Sequence, residues 1–138
     1  MEGDAMAETV TEQRSLEQKR ASHAYNSILE AKQSNVKELK SVARDAPASI
    51  QSNGLGQTLA FWKSKDKNKE KEKRYWVIYN HLSSWLKDQR VFEGSDLLVW
   101  IATTASSLHY RQATAEALAY LNWYKRFAEA ELPDSTKE

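Results

Sequence analysis

The chain has 138 residues, with 20 Lys+Arg against 19 Asp+Glu for a net charge of +1, no cysteine, and only 4 glycines and 2 prolines. That length is one domain with a core of its own, and the composition excludes disulfides and thiolate chemistry while favouring helices over sheets. Near-neutrality also excludes bulk attraction to nucleic acid, so any such contact must come from local charge asymmetry.

Residues 1–13 are acidic and polar, show no apolar periodicity, and lack the basic and apolar regions of a secretory signal. A disordered tail is expected there. From residue 14, Ala21, Ala24, Tyr25, Ile28 and Leu29 recur at spacings of three and four, the pattern of an amphipathic helix with one core-facing stripe. Val36, Leu39, Val42, Ala43 and Ala46 repeat the pattern. Pro47 is then expected in the first turn of a separate short helix, because proline suits that position and breaks a helix interior.

Asn53-Gly54 predicts a turn, since both residues tolerate positive φ. Beyond it Leu55, Leu59 and Trp62 share a helical face, which gives way to charge between Lys63 and Lys73. Tyr75, Ile78, Tyr79, Leu82, Trp85 and Leu86 form the cleanest stripe in the chain, ending near Lys87-Asp88. Leu97 to Thr104 is rich in β-branched residues, but no second strand candidate exists to pair with it. It is therefore expected to be helical, capped by Ser95. A last helix starts at Ser106 or Ser107, runs through Tyr110, Ala113, Ala117, Leu121, Tyr124 and Phe127, and stops before Pro133. The fold class that follows is all-α: a bundle of about five to seven helices over residues 14–132, the long C-terminal helix central, and a disordered tail at 133–138.

The longest apolar run, Leu97 to Ala102, is far short of the ~20 residues that span a bilayer, so a cytoplasmic protein without membrane contact is expected. His23, His81 and His109 lack paired-ligand spacing and read as surface or helix-flank residues, so no metal is expected. Gly54-Leu55-Gly56 begins like a dinucleotide fingerprint, but Leu59 takes the third glycine's place. With no phosphate loop and no nucleophile elbow, neither a cofactor nor enzymatic activity is expected.

Two features invite partners. Between Lys63 and Arg74 seven cations (Lys63, Lys65, Lys67, Lys69, Lys71, Lys73, Arg74) face only Asp66, Glu70 and Glu72. This run reads either as a solvated loop or as a flexible electrostatic arm for phosphates. Of the five tryptophans, most should be core, Trp123 among them, with a truncation cost of ~3 to 5 kcal/mol. Trp62 and Trp76 flank the charged run beside their helices' main stripes, where an aromatic more often marks a partner surface.

The stretches Ile50 to Phe61 (Ile-Gln-Ser-Asn-Gly-Leu-Gly-Gln-Thr-Leu-Ala-Phe) and Tyr110 to Leu118, continuing over Asn122 to Ala130, carry a specific likeness. They resemble signatures of the small helical subunit of the type III-B CRISPR effector, the Cmr complex, and Leu16 to Tyr25 is similar to that family's opening. The resemblance spans about residues 16–132 and implies a bundle without enzymatic activity. Several copies of it would stack as a minor filament and help line the channel where target RNA pairs with crRNA. The protein lining then needs only phosphate and shape contacts.

Carried over by position, Gln51, Asn53, Gly54 and Gly56 match the family's turn, while Arg111, Lys125 and Arg126 match basic positions of its last helix. The latter three are nucleic-acid-binding candidates, with Lys63 and Lys65 of the charged run beside them. Ion pairs to Glu116 or Glu129 would account for these helical cations almost as well. The implied partners are other Cmr subunits, copies of the chain itself and crRNA or target RNA. Stacking through unlike faces makes a monomer the expected isolated state. The alternative is a helical adaptor that contacts protein only.

Overall fold

The computed structural model describes the backbone of residues 2–134 and the side chains of residues 15–134. Within those bounds every regular element is a helix: α1 (Glu2–Gln33), α2 (Leu39–Asn53), α3 (Leu55–Lys63), α4 (Lys73–Asp88), α5 (Leu97–Thr103) and α6 (Ser107–Glu131). The all-α expectation and the long last helix are both borne out. The tail expected at 1–13 falls where no side chain is described, and the tail expected after residue 132 lies, beyond Asp134, outside the described residues.

The apolar stripes explain the packing. α6 lies against α1, α2 and α4, and it buries Ala113, Ala117, Tyr120, Leu121, Tyr124 and Ala128. Ala24, Ile28 and Ala31 of α1, Leu39, Val42, Ala43, Ala46 and Ile50 of α2, and Ile78, Leu82, Trp85 and Leu86 of α4 complete the same core. Alanines on α1, α2 and α6 let these backbones approach closely. α3 and α5 pack on each other at one end, and α3 also meets α2 and α4.

Helix ends follow local rules. α1 closes with Asn35 in the left-handed region (φ 56), Val36 N–H donating to the Ala31 carbonyl and Asn35 N–H to that of Lys32. α4 closes the same way through Arg90 (φ 58), with Val91 N–H on the Leu86 carbonyl and Arg90 N–H on that of Lys87. This paired-bond motif satisfies carbonyls that a helix end leaves open.

Two local expectations need correction. Pro47 does not open a new helix but lies buried inside α2, which runs unbroken to Asn53. Proline in a helix interior costs ~3 kcal/mol, and burying five apolar side chains of α2 at ~1.5 to 3 kcal/mol for each large one outweighs that. The cap of α5 is Asp96, not Ser95: its carboxylate accepts the Val99 N–H. A carboxylate also receives the Tyr79 hydroxyl and Lys63 from neighbouring helices, which Ser95 would not hold together. At α6 the expected Ser106 is the cap, accepting from His109 N–H.

Candidate nucleic-acid interface

The two signature stretches meet at one atom. Gly54 N–H bonds the Ile50 carbonyl to end α2, and the Gly54 carbonyl accepts Thr58 N–H to begin α3, so one residue at φ 89 forms the corner. Gly56 N–H then donates to the Tyr110 hydroxyl of α6 at 2.9 Å. A Cβ on Gly56 would stand 3.3 Å from that oxygen and one on Gly54 3.4 Å, so the corner has little room for a side chain. At Gly54 the left-handed φ adds strain for any residue with a Cβ. Gln51 and Asn53 are exposed at the end of α2.

The cations of α6 do not form one cluster. Arg111 and Arg126 are exposed and Lys125 is half-buried. Arg111 and Lys125 project from one side of the helix but are separated by about 21 Å along its axis. Arg126 reaches Glu129 at 3.4 Å, whereas neither Arg111 nor Lys125 has an ion pair or hydrogen bond among the described residues. Glu116 is not their partner. It accepts Arg20 Nε at 2.7 Å and Nη2 at 2.9 Å from α1, and Trp85 Nε1–H at 2.9 Å from α4. Burial alone would raise the Glu116 carboxyl, but these donors outweigh it and hold the pKa below its ordinary value.

The charged run is a loop exposed from Asp66 to Lys71 and anchored at its start. Lys63 pairs with Asp96 and stands 5.8 Å over Trp76 and 5.3 Å over Tyr79. Burial opposes ionisation of Asp96, yet Lys63 and the Tyr79 hydroxyl outweigh it and bring the pKa down to about 2. Lys65 lies 4.4 Å over Phe61 and 5.3 Å over Tyr75, and Lys67 lies 5.3 Å over Trp76. The loop backbone is tied down by Trp76 Nε1–H on the Lys65 carbonyl (2.7 Å) and by Asp66 N–H on Glu72 (2.7 Å). Lys63 is thus committed to the fold, while Lys71 keeps its side chain 77% exposed.

The tryptophans also redistribute. Trp62 is core, not a partner surface, being 3% exposed on the same face of α3 as Leu55 and Leu59. Trp123 is not core: it is 36% exposed, stacks on Phe127, and donates Nε1–H to Glu17. The buried face of α6 is taken by Ala117, Tyr120, Leu121 and Tyr124, and Trp123 lies beside it.

Two of the histidines are not surface residues. His81 Nδ1 lies 2.8 Å from the Tyr124 hydroxyl and Nε2 lies 3.0 Å from Glu30; His23 Nδ1 lies 2.8 Å from the Tyr120 hydroxyl. The carboxylate needs a donor, so His81 Nε2 carries the proton and Nδ1 accepts from Tyr124. A buried tyrosine hydroxyl requires such a partner, and these two histidines are what α1 and α4 place there. Burial lowers the pKa of both histidines, against the opposing pull of Glu30 on His81 and of Asp88 on His23. Among the described residues no group of three or more His, Asp or Glu side chains is placed to hold a metal ion.

A family model of CRISPR-associated proteins (Cas_Cmr5) matches residues 16–131. The chain belongs to the Cas_Cmr5 family. It is similar to the CRISPR system Cmr subunit Cmr5 of Thermus thermophilus, with 32% identity over 111 residues that cover 80% of this chain and 90% of the relative. A crystal structure of a Cmr5 family protein from Thermus thermophilus superposes with a TM-score of 0.66 at 27% identity, covering 85% of this chain and 96% of that one. The resemblance drawn from the two motifs is borne out.

Proposed function

We propose that the chain is a non-catalytic structural subunit of an RNA-guided type III-B CRISPR effector. It stacks in several copies beside the other Cmr subunits and helps line the guide/target RNA channel through phosphate contacts. The observation that carries this reading is the family match across residues 16–131, from within α1 to the end of α6. Exposed Arg111 and Arg126, with Lys125 between the core and solvent, supply long cations along one side of α6. Base pairing supplies sequence recognition, so such a surface needs no base-reading groups along its length. In isolation the chain is a monomer, because stacking through unlike faces gains most from the assembled partners. No helix of the described residues is long and apolar enough to cross a membrane, in keeping with a cytoplasmic complex.

Reconstitution of the effector with Arg111→Glu, Lys125→Glu and Arg126→Glu tests this. Each lost phosphate contact is expected to flatten the dependence of log affinity for target RNA on log salt by roughly one unit. A salt series unchanged in all three variants, with the complex still assembling, would leave the second reading, an adaptor that touches protein only. The near-neutral charge and the Arg126–Glu129 pair favour that reading to a degree. Failure of the chain to join the complex would reject both.

A further inference from the structure

α2 and α6 lie antiparallel, since the Gly56 N–H meets the Tyr110 hydroxyl at the start of α6 and Lys40 meets Asp134 beyond its end at 2.7 Å. Each helix has one flank already committed. Ser41, Asp45, Ser49 and Asn53 of α2 line a cleft against α3 and α4. Glu116, Trp123, Phe127 and Glu131 of α6 bond or stack on α1. The opposite flanks therefore meet along the groove between the two helices. α2 brings Lys40, Arg44, Ala48 and Gln51 to it at spacings of four, four and three, and α6 brings Arg111, Leu118, Asn122 and Lys125 at spacings of seven, four and three.

Arg44 and Arg111 are exposed, and neither they nor Lys125 has an ion pair or hydrogen bond among the described residues. In the antiparallel register Arg44 falls between the levels of Arg111 and Lys125, which lie about 21 Å apart along α6. Three uncompensated cations thus follow one line. The carboxylates on this side, Glu129 and Asp134, sit at the Lys125 end and already hold Arg126 and Lys40.

Such a groove suits a polyanion better than a protein. Stable protein interfaces are built on large apolar anchors, and the exposed ones here lie elsewhere: Leu16 and Tyr25 on α1, Phe61 on α3, Val99 on α5, Trp123 on the α1 side of α6, and Leu108 in the first turn of α6, before the groove begins. Neither bank carries an aromatic ring on which a base could stack. Cations without stacking groups contact the backbone of a nucleic acid, whatever its sequence.

We propose that an RNA strand runs along this groove with its phosphates held by Arg44 on one bank and by Arg111 and Lys125 on the other. The proposal rests on the channel reading above and deepens it: α2 shares the contact with α6, and Arg44 is a binding residue.

The test follows binding of the full chain to a fluorescent uridine oligomer, and to the same oligomer carrying abasic riboses, by anisotropy across a salt series. Both oligomers are expected to bind equally at low salt, and a much weaker abasic oligomer would overturn the backbone contact. Arg44→Gln and Arg111→Gln take away exposed, unpaired side chains, so both should fold, and each should flatten the dependence of log affinity on log salt by about 0.7 unit. Arg44→Lys should restore the slope. Lys19→Gln, which removes an exposed, unpaired cation on α1, should leave it unchanged. A normal slope in Arg44→Gln beside a flattened one in Arg111→Gln would confine the RNA to α6, overturning the groove and leaving the channel reading in place. An equal loss in Lys19→Gln would show a response to net charge alone and would overturn the groove as well. Absence of binding at low salt, or slopes unchanged in every variant, would also overturn it, while the charge reversals in the reconstituted effector still decide the channel reading. Failure of Arg44→Gln to join that effector, with its RNA binding intact, would give the groove to an acidic protein partner and overturn the proposal.

Discussion

The seam between α1, α4 and α6 and the loop between α3 and α4 use the same side-chain types to opposite ends. In the seam, Arg20, Glu116 and Trp85 form a partly buried triad, and His23 and His81 meet Tyr120 and Tyr124. In the loop, Lys65 and Lys67 lie over Phe61, Tyr75 and Trp76, while Lys69 and Lys71 pair loosely with Glu72 at 4.0 Å and Glu38 at 3.7 Å. Most polar groups in the seam are largely shielded from water, so they depend on their partners more than surface groups do. Those in the loop do have water, and the contacts there shape a surface more than they stabilise a fold.

The sharpest way to break that contrast is Glu116→Ala. It strands the Arg20 guanidinium and the Trp85 N–H together, and urea denaturation should show a loss of about 3 kcal/mol. A loss under about 1 kcal/mol would mean that water already reaches the triad.

Next in size is Tyr124→Phe, which leaves His81 Nδ1 without its donor and should cost about 1 to 2 kcal/mol. The histidines also set a pH dependence. Their native pKa values are lowered from 6.5, so below that pH the unfolded chain binds more protons than the native one. Their contribution is complete above pH 6.5 and is lost as the pH falls through that value. Melting temperature should therefore drop between pH 7.5 and 5, less steeply in His81→Gln, and a slope identical in wild type and variant would exclude His81 as its source.

In the loop the effects shrink. Trp76→Phe removes the N–H that holds the Lys65 carbonyl, with an expected cost of about 1 kcal/mol and faster hydrogen exchange confined to residues 64–72. Lys69→Glu with Lys71→Glu should change stability by less than about 0.5 kcal/mol. A loss comparable to that of Glu116→Ala would erase the distinction between the two regions.

Legibility in the sequence follows the same division. The α4 stripe of Tyr75, Ile78, Tyr79, Leu82, Trp85 and Leu86 was readable because each residue's neighbours on that face lie three or four positions away. Gly54 was readable because its backbone conformation is a local property. Trp62 and Trp123 were read the wrong way round, since both sit at stripe edges and only the position of a neighbouring helix decides which edge is covered. Likewise nothing near His81 in the chain announces Tyr124 or Glu30, which approach from other helices. Among the expected cations, Lys63 could be recognised as structural only once Asp96, far along the chain, was seen beside it.

By itself, then, the sequence determined the helices, most of their ends, the glycine corner and the family, all of which depend on periodicity, backbone preference or contiguous motif. Only the tertiary structure decided which aromatics are core and which charges are already paired. These depend on distances between segments remote in the chain, and no local pattern encodes such distances.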